Sequence, residues 1–118
     1  MSKDLILDTI ETMREYLPKL ITASETIAED IQSHEGGWLE TLIAYLEGLG
    51  WVTMAISGIQ QLDQEIIKNM SVDALAPLLE KMKDALERSD YVAVCDLLQY
   101  ELQPLLKEYN EELMRVNE

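Results

Sequence analysis

ILDTIETMREYLPKLITASETIAEDI, residues 6–31, decides the fold. Within it Ile6, Ile10, Met13, Leu17, Leu20, Ser24, Ile27 and Ile31 recur at alternating steps of four and three. At about 3.6 residues per turn, that alternation holds one stripe on one side of a helix, the seam pattern of coiled coils and bundles. The stripe predicts a helix from Lys3 to Gln32. Asp4 and Asp8 suit the positive end of its dipole. Pro18 removes a helical bond to the carbonyl of Arg14, yet the stripe passes through it in register, so a single kinked helix is expected. Ser33 to Gly37 form the connection, where Gly36 and Gly37 can supply a left-handed residue to end the helix.

The same seam returns from Trp38: Leu42, Tyr45, Leu49, Val52, Ile56 and Ile59 follow it, then Asp63 and Ile66, predicting a second helix to Asn69. This helix also has a second apolar row, Leu39, Ile43, Leu46 and Met54. At about 100° per residue its apolar arc reaches roughly 220°, nearly twice what one bundle face requires. Gly48, Gly50 and Gly58 each weaken a helix by about 1 kcal/mol relative to Ala, and are tolerated where a helix bends or another backbone comes close.

A short third helix is expected from Ser71 or Asp73 as N-cap to Arg88, with Leu75, Leu78, Leu79, Met82 and Leu86 as its stripe. A fourth starts after Ser89 or Asp90 and carries Tyr91, Val94, Leu98, Leu102, Leu105, Tyr109, Leu113 and Val116. Pro104 should bend it near Tyr100. Leu75-Ala76-Pro77-Leu78-Leu79 matches Leu102-Gln103-Pro104-Leu105-Leu106, a similarity that two amphipathic helices also reach by coincidence. The expected fold is therefore all-α, one domain over residues 1–118: an antiparallel four-helix bundle with three long helices, the first and last kinked at Pro18 and Pro104, and one short helix.

Charge limits what such a bundle can bind. The 23 acids against nine bases give a net charge of −14. Between Leu20 and Ile67 there is no Lys or Arg but eight acids, from Glu25 to Glu65. Phosphate backbones and anionic lipid surfaces are repelled, so neither nucleic acid nor membrane is an expected partner. The longest charge-free run, Gly48 to Leu62, is too short to span a bilayer. One cysteine, Cys95, fits a reducing compartment, and Met1-Ser2-Lys3-Asp4 does not open a signal peptide; a cytoplasmic location is expected.

The chemistry-bearing residues are sparse. His34 stands alone, with Ile31 three residues before it, so it cannot supply the Glu-x-x-His of a two-metal bundle. Cys95 lacks a base for nucleophilic work and reads as a small core residue. Asp63 and Glu101 occupy seam spacings, where burial would raise a carboxyl pKa toward general acid–base use. No metal, cofactor or catalytic residue is expected. Trp51 points away from the seam toward Glu47, a large aromatic on the polar side of the second helix.

Small size, low isoelectric point and a helix-only pattern together resemble the export chaperones of bacterial flagellar and type III secretion systems. The resemblance implies a helical protein that holds a partner's helix in an apolar groove. The segment Asp90 to Leu102 also resembles a helical stretch in uncharacterised bacterial proteins, some of them linked to motility. The leading expectation is a non-enzymatic, chaperone- or adaptor-like interaction module. It would bind a basic or amphipathic helical segment of another protein through Leu39, Ile43, Leu46, Trp51 and Met54. The alternatives are a homodimer burying the same arc, and a small-ligand binder or enzyme using Asp63 and Glu101.

Overall fold

The computed structural model describes residues 2–116; Met1, Asn117 and Glu118, the ends of the domain read as 1–118, lie outside it. It is all-α. Helix α1 spans Ser2–Gln32 and α2 spans Trp38–Leu62. A 3-10 turn, Val72–Ala74, leads into α3, Leu75–Glu87. The last rod comprises α4 (Tyr91–Asp96), a π-helical turn (Leu97–Leu102) and α5 (Gln103–Met114). These form four antiparallel rods in a body 47 × 22 × 20 Å, with no strand among the described residues.

α1 is the spine. Every member of its quoted stripe, Ser24 included, is buried. It packs most extensively on α5 and α2. Cross-links give both orientations. Ser24 bonds Tyr45 and Tyr16 stacks on Trp51, so α2 runs antiparallel to α1. The Cys95 thiol, the Gln103 amide and Leu113 pair with Ala28, Ile21 and Arg14 in turn, so the last rod is antiparallel to α1 as well.

Ser24 interrupts an apolar seam and is fully satisfied there. Its hydroxyl donates to the Leu20 carbonyl at 3.0 Å and shares a 2.6 Å bond with the Tyr45 hydroxyl. Burial pushes the Tyr45 phenol up to about 12, and the bond it shares with Ser24 only partly opposes that. At the other end of α1, Arg14 reaches across to the end of α5. Its Nε and Nη2 donate to the Leu113 carbonyl and Nη2 to that of Val116, filling acceptors a helix C-terminus leaves open.

Four expectations need correction. The second helix stops at Leu62, not Asn69: Asp63 turns to extended backbone and its carboxylate accepts the Glu65 N–H at 2.9 Å, a local turn that competes with the helix. The following segment folds back, with Ile67 and Met70 buried and their carbonyls held by the Gln60 amide. Secondly, α1 ends on His34, at φ 59, not on a glycine. Glu35 N–H bonds the Asp30 carbonyl and His34 N–H that of Ile31, a Schellman cap with histidine in the left-handed place. α3 ends identically on Ser89, at φ 53. Gly37, also left-handed at φ 85, instead opens α2.

Thirdly, the last rod absorbs Pro104 by widening. Gln103 N–H reaches back five residues to the Leu98 carbonyl, and Pro104 falls in the first turn of α5, where a missing N–H matters least. The buried positions run Val94, Leu98, Leu102, Leu106, Tyr109 and Leu113. Three successive steps of four would drift by about 120° on an ideal α-helix; the wider turn removes that drift. Leu106 thereby replaces Leu105 in the core, and Tyr91 is exposed. Pro77 likewise lies in the first turn of α3, so both Leu-x-Pro-Leu-Leu stretches open a helix. Fourthly, Trp38 is half-buried rather than core, its ring edge-on to Tyr91 at 5.2 Å.

Candidate functional site

The carboxylates read at seam spacings are not in the core. Asp63 is exposed in its turn, and Glu101 is exposed beside Lys81 at 3.8 Å. Among the described residues no three His, Cys, Asp or Glu side chains group as metal ligands. Cys95 is buried, donates to the Ala28 carbonyl at 3.7 Å, and has its thiol pushed up by burial and by the neighbouring Asp96.

Much of what α2 exposes is apolar. Leu39, Ile43, Trp51, Met54 and Leu62 all lie open, and Leu46 is half-buried. Trp38–Leu62 is long and apolar enough to cross a membrane by length and composition; an 18-residue stretch of it has mean hydropathy 1.5, and 39% of that stretch is buried in the bundle. The exposed residues do not form one patch. At about 100° per residue, Leu39, Ile43 and Leu46 cluster on one flank of the seam, Trp51 lies about 120° round from Leu39 on the flank facing α1, and Met54 falls between.

The Trp51 flank is a groove between α1 and α2. Its wider part, about 640 Å³, is lined by Thr12, Glu15, Tyr16 and Lys19 from α1 and by Ala44, Glu47, Gly48 and Trp51 from α2. One turn further along, a smaller depression of about 170 Å³ continues it, with Leu5, Met54 and Leu62 exposed around it. Tyr16 and Trp51 meet edge to face, ring centres 5.7 Å apart. Gly48 makes that stack fit: a Cβ there would overlap the Tyr16 hydroxyl and crowd Leu20. The groove thus offers an aromatic centre, an apolar end and carboxylates at its side. Sequence reasoning picked out Trp51 and Met54 but missed Tyr16 and Leu5, which sit off the α1 stripe. The signal available was Tyr16 and Gly48 as an aromatic and a gap on adjacent antiparallel helices.

A separate depression of about 550 Å³ caps the bundle end, between the Ser33–Gly37 connection and the start of α4, with Trp38, Tyr91, Val92 and His34 on its walls.

The fold and groove define an all-α bundle with an open groove between α1 and α2. Residues 8–112 match the family described as a domain of unknown function (DUF8042), and the chain belongs to that family. No curated protein and no solved structure matches the chain.

Proposed function

We propose that this protein is a non-enzymatic interaction module whose α1–α2 groove receives an amphipathic helix with a basic face from another protein, in the manner of a chaperone or adaptor. The observation that carries the reading is an exposed apolar groove set in acidic surroundings: Trp51, Met54, Leu5 and Leu62 open to solvent, with Glu15 and Glu47 beside them. Among the described residues, Lys19 is the one base on its wall. An incoming helix would bury its apolar side over Met54 and Leu62 and its basic side against the carboxylates. Those charges set orientation and on-rate more than affinity. The resemblance in size, charge and helical pattern to export chaperones supports the same reading, as does a buried free thiol for a reducing, cytoplasmic setting.

The test is titration of a fluorescein-labelled synthetic Leu/Lys amphipathic helix, followed by anisotropy, with a Leu/Glu helix of the same apolar face as control. The basic helix should bind, the acidic one should not, and affinity should fall as salt rises. Trp51→Ala and Met54→Asp, both at exposed positions, should each weaken binding at least about tenfold, the loss of one buried anchor. Equal affinity for both peptides, or unchanged affinity in both variants, overturns the proposal; so does binding of the protein to lipid vesicles in preference to the peptide.

A further inference from the structure

The other flank of α2 carries a pattern the groove does not use. Leu39, Ile43, Leu46, Gly50, Thr53 and Ser57 are spaced four, three, four, three and four apart. At about 100° per residue they fall within roughly 80° of arc, a second seam on a helix whose first seam is already filled. Leu39 and Ile43 are about half exposed, at 49% and 51%. A Cβ built on Gly50 meets no atom within 4 Å, so nothing within the chain requires a glycine there. Gly48 differs, since Tyr16 needs its space. A glycine that weakens its helix and faces open space is accounted for when a second backbone approaches from outside.

Size along this row is graded. Its first half is bulky, Leu39, Ile43 and Leu46; its second half is small, Gly50, Thr53 and Ser57. Place a second copy antiparallel, with a two-fold axis at residue 48. Leu39 then faces Ser57, Ile43 faces Thr53 and Leu46 faces Gly50, each pair equidistant from the axis. Every large side chain meets a small one, in both directions, which is the self-complementarity an isologous contact needs. The alternation of four and three is also the layer spacing of two helices packed side by side. A parallel pairing would set bulk on bulk at one end and leave a gap at the other.

We propose that the protein forms an antiparallel homodimer through this row, α2 against α2, in the register centred on residue 48. The occupant is a second copy rather than a basic partner because the row complements itself in size. The docking groove is centred about 120° round the helix, at Trp51, and shares Glu47 with this contact, so each proposal is read by its own assay: sedimentation for the dimer, peptide binding for the groove. Glu47 lies beside the axis, and its counterpart from the second copy would come close to it. Self-association should therefore tighten as salt screens that repulsion, the opposite of the salt dependence expected for a basic helix in the groove.

Sedimentation velocity from low to high micromolar concentration, at low and at high salt, is the test. The wild type should shift from monomer toward dimer with concentration, more strongly at high salt. Gly50→Leu fills open space in the monomer, so it should fold with an unchanged or higher melting temperature and yet remain monomeric. The size swap Leu46→Ala with Gly50→Leu should recover dimer, because each large residue again faces a small one. A wild type that stays monomeric at high micromolar concentration overturns the proposal. A Gly50→Leu variant that dimerises as well as the wild type overturns the register.

Discussion

Replacing Arg14 with Met should destabilise the protein well beyond the range of an ordinary surface change. The guanidinium is largely buried, with 18% of its side chain exposed, and it clamps the end of the last rod. Nε and Nη2 donate to the Leu113 carbonyl at 3.0 and 2.7 Å, and Nη2 donates to the Val116 carbonyl at 2.7 Å. Hydrogen bonds from a charged group are worth about 1.5–3 kcal/mol each, but carbonyls at a helix end regain water when the guanidinium leaves. A cation at a helix C-terminus adds about 0.3–1 kcal/mol. Met keeps the apolar stem, so packing loss is small. The net cost is then about 2–3 kcal/mol, or a fall of roughly 10 °C in Tm for a chain of this size. Arg14→Lys retains the charge but loses the planar fork, and should restore less than half of the loss. Urea unfolding followed by far-UV circular dichroism measures both, and hydrogen exchange should show α5 opening first in Arg14→Met. A midpoint within about 0.5 kcal/mol of wild type, the range of ordinary surface changes, would refute the clamp.

Ser24→Ala should cost about 2 kcal/mol, because it leaves the buried Tyr45 hydroxyl without its partner, whereas Ser24→Ala with Tyr45→Phe should cost less than the two single changes summed. The Tyr45 and Tyr109 phenols are pushed up to about 12 from 10, mainly by burial, so the fold favours their neutral forms. That stability is complete below pH 10 and is lost as pH rises toward 12; denaturant midpoints should fall across that window, and less steeply in Tyr45→Phe. His34→Gly and Ser89→Gly remove side chains from left-handed backbone at the two Schellman caps, and each should raise stability by up to about 1 kcal/mol in thermal melts.

The parts of the fold that were legible are those where one periodic signal suffices. The Ile6–Ile31 stripe is wholly buried because its burial outweighs the one bond that Pro18 removes, and α1 continues through that proline. Asp63 and Pro104 show where periodicity fails. Asp63 keeps seam spacing, but its carboxylate finds a nearer backbone donor at Glu65 and the helix ends; Ile66 then continues the numerical pattern without continuing the structure. Pro104 keeps α-helical spacing on paper, while the chain meets it with a π turn that moves the core from Leu105 to Leu106. The cap at His34 was hidden because two glycines nearby offered the easier left-handed residue, and the chain used Gly37 to open α2 instead. At the candidate site, the excess apolarity of α2 was plain in the sequence. Its division into two flanks was not, since that depends on where α1 lies, and Tyr16 crossing Gly48 is what fixes the groove.

Two-dimensional NMR of the isotope-labelled protein, titrated with the basic amphipathic helix, tests the proposed docking in the α1–α2 groove most directly. At protein concentrations low enough to keep the chain monomeric, the Trp51 indole N–H and the Met54 methyl should move, while the Leu39 and Ile43 methyls and the Trp38 indole hold their positions. Shifts centred on Trp38 at the bundle end, or on Leu39 and Ile43 with Trp51 and Met54 unmoved, would contradict it.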